Sequence, residues 1–224
     1  MKYKFVPGDE ITTEHGTLRR IRSLIGIPSI GVMVGDFGGY IEHEANLAQS
    51  GNAWVSGNAR VSGNASVSGR AHVSGNACVF DRACVYGSAH IRGNADVSGN
   101  ARVSGNASVS GRAHVSGNAS VSGRAHVSGN AYVSGDACVS GDADVSGDGL
   151  VFWASKVGTE KGTLTVYNNK DGTLGATRGC FQGSIDEFLE KSINVHDHTT
   201  QLEYLLLIEV AHSRITRATK GTTK

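Results

Sequence analysis

A six-residue period runs without a slip through the middle of the chain and leaves few folds open to it. Every sixth position from Val55 to Val151 is aliphatic, seventeen in succession, all Val except Ile91. Two positions earlier Ala recurs sixteen times, from Ala53 to Ala143. Position 51 and its successors to 147 are Gly except at Asp81, and the next residue is mostly Asn (Asn52, Asn58, Asn64), otherwise Arg, Asp or Ser. The unit is G-N-A-x-V-S.

Side chains alternate along a strand, so in A-x-V the Ala and Val share an inward face while x and the following Ser point out. Gly and Asn best tolerate positive φ, which assigns them the bend. A short strand and a corner every six residues predict a triangular coil of roughly 18 residues. Stacked at ~4.8 Å, about five coils make a prism roughly 25 Å long. Its interior holds columns of Val, each contributing ~1.5 kcal/mol or more by burial, with Ala in the tight corners. Such repeats need caps at both ends.

The pattern resembles the hexapeptide-repeat family of left-handed parallel β-helices, and the resemblance alone implies the left hand. The predicted fold is mainly β: an N-terminal β cap (1–48), a β-solenoid (49–151) and a small C-terminal α/β domain (152–224). In the first segment, Thr17–Ile25 is mixed apolar and basic, and VGDFGGYIEHEANL (Val34–Leu47) leads into the first coil. Past Gly149, strands are expected at Leu150–Ser155, Thr163–Tyr167 and Leu174–Thr177, with a turn at Asn168–Gly172. Ser184 with Glu187 reads as a capping box opening a helix to about Ser192; Thr200 with Glu203 reads as a second, opening a helix to about Ser213. Leu202, Leu205, Leu206 and Val210 form a stripe on that last helix. The tail beyond Ser213 is basic and Thr-rich, the pattern of a frayed terminus. The opening segment and RGCFQGSIDEFL (Arg178–Leu189) resemble uncharacterised bacterial and phage solenoid proteins, which implies a phage or prophage origin and no particular activity.

Charge narrows the partners. Lys and Arg number 21 against 20 Asp and Glu, and the balance holds within each segment, so neither a duplex binder nor an acidic nucleic-acid mimic is indicated. No apolar run approaches the ~20 residues of a membrane span, and MKYKFV is not followed by the apolar core of a signal peptide. Cys78, Cys84, Cys138 and Cys180 form no metal-ligand spacing, and His196-Asp197-His198 lacks further ligands. The expectation is a reduced, cytoplasmic protein of a bacterial host with no cofactor and no metal.

An 18-residue coil sorts the outward residues into flats. One carries Trp54, His72, His90, Ser108, His126 and Asp144, with Arg92 beside them and Arg70 and Arg124 at the corner leading in. A second carries Arg60, Cys78, Asp96, His114 and Tyr132, and a third Ser66, Cys84, Arg102, Ser120 and Cys138. The first is the chemically concentrated one: Arg offers forked donors to phosphate or carboxylate, and Trp a stacking surface. Trp54, Arg70, His72, His90, Arg92, Arg124 and His126 are therefore the candidate ligand-binding set, against the alternative that outward positions merely drift among duplicated repeats. Phe80, Arg82 and Tyr86 break the polar monotony and mark either a partner contact or the packing of a terminal segment folded back along the prism. Cys180 with His196 or His198 would make a thiol–base pair, but RGCF runs directly into a helix cap, and a small buried Cys is expected there.

The functional reading is a non-catalytic, oligomeric binding or scaffold protein, a trimer by the family resemblance, capturing a small anionic ligand such as a signalling nucleotide on a flat or between subunits. The alternative is the acyl transfer found in the resembled family, with acyl-CoA and a solenoid His as general base. Such enzymes extrude a loop from the coils, and here nothing interrupts residues 51–151. A third reading is a rigid spacer. Ice binding is disfavoured because the outward columns hold Ser and mixed charge, not a Thr array.

Overall fold

A computed structural model of the chain describes residues 1–13, 16–146 and 151–220, with side chains in the last helix described to residue 217. The period becomes a parallel β-solenoid whose coil is 18 residues. His72 is the ladder partner of both Trp54 and His90, Asp96 of Cys78 and His114, and Arg102 of Cys84 and Ser120. Among the described residues, one flat has six strands from Trp54–Val55 to Asp144–Ser146, and a second has five from Ser66–Val67 to Cys138–Val139. The remaining flat, Arg60–Val61 to Tyr132–Val133, is extended by N-terminal strands. Three bonds on each flat stitch one coil to the next: His72 N–H to Ala89 C=O (2.9 Å), Ser74 N–H to Ile91 C=O (2.9 Å) and Asn76 N–H to Gly93 C=O (2.7 Å) are one set. The Ala and Val columns inside are wholly buried.

The corners depart from expectation. Their positive φ falls on Gly and on Asp81 (φ 61°), and on no Asn among the described residues. The Asn side chains stack instead: Asn76 donates to Asn94 (3.1 Å), Asn100 to Asn118 (3.0 Å) and Asn118 to Asp136 (2.9 Å). A primary amide has a donor and an acceptor end, so it can pass a bond from coil to coil.

At the N-terminus, β1 (Tyr3–Thr13) and β2 (Gly16–Ser23) form an antiparallel pair. β3 (Phe37–Ile41) is antiparallel to β2 and parallel to Arg60–Val61, and so converts the hairpin into the first coil. The mouth of the solenoid is closed with polar groups. Lys2 is 1% exposed and its Nζ donates to Ala53 C=O (2.7 Å); burial pushes its pKa down to about 8. Asn46, equally buried, donates to Gly63 C=O (2.9 Å) and Ala65 C=O (2.8 Å).

The C-terminal strands Val151–Val157, Gly162–Asn168, Leu174–Arg178 and Phe181–Ser184 form an antiparallel sheet in that order. Trp153, Thr165, Thr177 and Gln182 are successive ladder partners and so make one row across it. That row meets the last coil. Trp153 Nε1 lies 2.9 Å from the place of a Cβ on Gly135, Cys138 N–H donates to Thr165 Oγ1 (3.0 Å), Thr177 Oγ1 donates to Cys138 C=O (2.6 Å), and the Gln182 amide packs on Gly141. On the domain's helices, α1 (Ile185–Val195) and α2 (His198–Lys220), Phe188, Tyr204, Ile208, Ala211 and Ile215 are buried.

The expected first capping box is present: Glu187 N–H donates to Ser184 Oγ (3.2 Å) and Ser184 N–H to Glu187 Oε2 (2.8 Å). The second is not. Asp197 Oδ1 accepts from Thr200 N–H (2.8 Å), so α2 begins earlier, while Glu203 accepts from Gly158 N–H (2.8 Å). The tail expected to fray after Ser213 continues α2 to Lys220, because Ile215 buries against the domain. Phe181–Ser184 is a strand that periodicity did not indicate, and Leu150, expected to open the first strand, lies outside the described residues. No described helix is long and apolar enough to cross a membrane.

Candidate functional site

The seven residues of the first flat are spread along the prism. From Trp54 to His126 is four coils, roughly 19 Å at the ladder spacing, and the two ends meet different surroundings. Trp54 is 1% exposed and sits edge-on to Tyr3, with ring centroids 6.5 Å apart. The N-terminal strand covers it, so the expected stacking surface is a packing contact. His72 is half-buried, its Nε2 lies 2.9 Å from Ser56 Oγ, and its ring stands 6.2 Å from that of His90 in an edge-on pair. Burial first, and His90 second, hold the His72 pKa below the usual histidine range. At neutral pH His72 is therefore a neutral hydrogen-bonding group, not a cation. Arg70, His90 and Arg92 are exposed. Ser108, between His90 and His126 on the ladder, is buried and its Oγ has no hydrogen-bond partner among the described residues.

Arg124 and His126 lie at the other end, where the last coils meet the C-terminal sheet around a cleft of about 790 Å³. Arg124 is clamped by Asp142, one coil on, through Nε–Oδ1 (2.8 Å) and Nη2–Oδ2 (3.0 Å). The opposite wall carries Tyr167, Asn169, Lys170 and Gln182. Lys170 is placed by its N–H bond to Asp142 C=O (3.2 Å), and its ammonium has no ion pair among the described residues. Asp171 is at the rim; its carboxylate accepts from Thr173 Oγ1 (2.6 Å) and Thr173 N–H (3.0 Å), which hold its pKa below the usual range. Burial pushes the Tyr167 phenol upward, so it is a neutral donor. Sequence reasoning named Arg124 and His126, which the structure places on this cleft; the Arg124–Asp142 pair was legible as an 18-residue step. Lys170 and Gln182 carried no such signal, since they lie beyond the period.

The second flat is better connected than its composition suggested. His114 Nδ1 is 3.3 Å from Asp96 Oδ2, the rings of His114 and Tyr132 are 6.0 Å apart, and burial and then the Asp96 charge push the Cys78 thiol up. Phe80 and Cys78 share a cleft of about 450 Å³ with Thr12, Thr13 and Leu18, so Phe80 borders the folded-back N-terminal hairpin. Arg82 and Tyr86 remain exposed. Among the described residues no three His, Cys, Asp or Glu side chains are grouped to hold a metal.

Cys180 is exposed, on the turn between Leu174–Arg178 and Phe181–Ser184, contrary to the buried position expected from RGCF. Cys78, Cys84 and Cys138 are half-buried, and burial raises the thiol pKa of Cys78 and Cys138. The thiolate is the reacting form. Iodoacetamide at neutral pH should therefore label Cys180 first and Cys78 and Cys138 last, as read by peptide mass spectrometry. Equal labelling of Cys138 and Cys180 would contradict the docking of the C-terminal sheet on the last coil.

Comparison with known families agrees with this architecture over part of the chain. Residues 53–69 and 95–111 match the YdcK beta-solenoid repeat. Among curated proteins, none matches the chain. The likeness to the YdcK repeat lies wholly within the coils and includes none of the residues around the junction cleft.

Proposed function

We propose that the protein is a non-catalytic binding protein that captures a small anionic molecule in the cleft between the last coils and the C-terminal sheet. One observation carries the reading: Arg124 and His126 from the solenoid and Lys170 and Gln182 from the C-terminal sheet line the same volume of about 790 Å³. Clefts of roughly 300–1,000 Å³ hold small molecules, with a few placed polar groups giving orientation. Lys170 supplies the uncommitted positive charge. The Asn169 and Gln182 amides add donors that suit a ligand with both an anionic and a polar part, as a nucleotide has. The Asp142 carboxylate orients Arg124 and partly offsets its charge, which favours a ligand of low net charge over a highly charged polyanion.

The chain is read as a hexapeptide-type left-handed β-helix protein of phage or prophage origin, working in the cytoplasm of a bacterial host as a homo-oligomer, with a trimer favoured. The exposed Leu202, Leu205, Leu206 and Val210 of α2 support the oligomer.

The test is calorimetric titration with a panel of mono- and dinucleotides and inorganic phosphate. Saturable binding that weakens about tenfold or more in Lys170→Ala is the expected result, the size of one charge-assisted hydrogen bond. Recovery of the ligand chemically unchanged separates this reading from acyl transfer, which predicts turnover of acyl-CoA. No saturable heat with any probe, or equal affinity in Lys170→Ala, would overturn it.

A further inference from the structure

A second cleft, of about 410 Å³, opens in the C-terminal domain between α1 and the turn that joins Leu174–Arg178 to Phe181–Ser184. Two polar atoms of residues on its walls are buried without a hydrogen-bond partner among the described residues: Arg178 Nε and Ser192 Oγ. Ser192 is only 3% exposed. It follows Phe188 by one helical turn on the buried face of α1, where an Ala would fill the same space with no hydroxyl to satisfy. Leaving such a group unpaired costs on the order of 1–3 kcal/mol, and native structures rarely hold one without a water, an ion or a ligand to complete it.

The surroundings say what kind of ligand. Arg178 is fixed by its Nη2 bond to Val157 C=O (3.0 Å) and by Tyr204, whose ring lies 5.8 Å from its guanidinium carbon and whose hydroxyl it also approaches; its Nε–H has no partner among the described residues. Lys191 projects from α1 with its ammonium 5.5 Å from the Phe181 ring centre and has no carboxylate partner among the described residues. Phe181 and Phe188 meet edge-on at 5.2 Å and supply an apolar wall. Glu160 also borders the cleft; of the other carboxylates nearby, Glu203 accepts the Gly158 N–H and Glu187, one turn before Lys191 on α1, accepts the Ser184 N–H. The Arg178 and Lys191 cations therefore face one uncommitted carboxylate.

We propose that this cleft is a second ligand site, one that takes a small oxyanion, a carboxylate or a phosphate group, carried on an apolar or aromatic body. The oxyanion lies between Arg178 Nε–H, the Ser192 hydroxyl and the Lys191 ammonium, and the body lies along Phe181 and Phe188. Guanidinium and hydroxyl donors on opposite walls, one on a strand and one on a helix, are pre-positioned by the fold, so binding orders little beyond Lys191. The site shares no residue with the junction cleft.

The experiment is nitrogen–proton NMR of the full chain, following the side-chain Nε–Hε resonance of Arg178 while benzoate, and in a separate sample inorganic phosphate, is added. A saturable shift is expected with at least one probe. A shift with benzoate alone identifies a carboxylate on an aromatic body, and a shift with phosphate alone identifies a phosphoryl ligand. Lys191→Ala, an exposed position whose loss leaves the fold intact, should weaken binding about tenfold or more. Lys170→Ala should leave this titration unchanged, which separates the two sites whichever of them fails. An unmoved Arg178 resonance with both probes, or the same shift at the same concentrations in Lys191→Ala, would overturn the proposal and leave the two polar atoms to ordered water.

Discussion

Gly105→Val should destabilise the protein by roughly 3–5 kcal/mol, a large fraction of what a domain of this size has to lose. Gly105 has φ +66°, and a Cβ there would lie 2.8 Å from Gly123 O and 3.0 Å from Gly123 N in the next coil. Both are backbone atoms held by the stack; Gly123 O already accepts from Asn106 N–H at 2.7 Å. A β-branched residue in left-handed backbone therefore adds strain of its own and must also push two coils apart. The control is Gly172→Ala. Its φ is +82°, but nothing lies within 4 Å of the added Cβ. Only the conformational cost remains, about 1 kcal/mol. Denaturant unfolding followed by far-ultraviolet circular dichroism compares them directly. If Gly105→Val is no worse than Gly172→Ala, coil spacing does not limit this fold. Asp81 shows what the position accepts. It keeps the same backbone with φ 61°, and its carboxylate takes up the Gly99 N–H at 3.0 Å. Asp is among the few side chains that tolerate this region.

The contrast between Gly105 and Lys170 explains how far the sequence could be read. Within the coils, one physical rule repeats: strand alternation sends Val103 and Ala101 inward, and an 18-residue step makes Arg102 the neighbour of Cys84 and Ser120. Period therefore specifies contacts directly, and the pairs His72–His90 and Arg124–Asp142 could be written down before any coordinates. Beyond the period the rule ends. Trp54 occupies an outward position by register, yet Tyr3, 51 residues earlier, covers it. Nothing local to Trp54 announces that. The Thr200–Glu203 motif has the spacing of a capping box, but Asp197 caps the helix first, and Glu203 is drawn to the Gly158 N–H by tertiary packing. Lys170 and Gln182 became neighbours of Arg124 only because the C-terminal sheet docks on the last coil. The fold was legible because it is built from local repetition, whereas the candidate site is built from contacts across the cap.

That docking rests on a second large prediction, at Thr165 and Thr177. The last strand of a solenoid leaves N–H and C=O groups that the next coil would otherwise pair. Here the two threonines, ladder partners on adjacent strands, stand in for that coil at Cys138: Thr165 Oγ1 accepts the N–H, and Thr177 Oγ1 donates to the C=O. Thr165 is wholly buried and Thr177 is 4% exposed, so water cannot replace them without opening the junction. Val has the shape of Thr but no hydroxyl. Thr165→Val and Thr177→Val should therefore each cost roughly 1–3 kcal/mol by leaving a backbone group unpaired. Thr165→Val should in addition speed hydrogen exchange at the Cys138 amide, because that proton has lost its acceptor. Thr163→Val is the comparison: Thr163 lies two residues before Thr165 on the same strand, and its hydroxyl makes an exposed contact with Ser155 Oγ of the neighbouring strand, at 3.1 Å. Its effect should stay within about 0.5 kcal/mol. If all three variants unfold together and the Cys138 amide keeps its protection, the C-terminal sheet does not cap the solenoid through this pair. The junction cleft would then lose its fixed geometry as well, because the strand that carries Thr165 leads directly to Asn169 and Lys170.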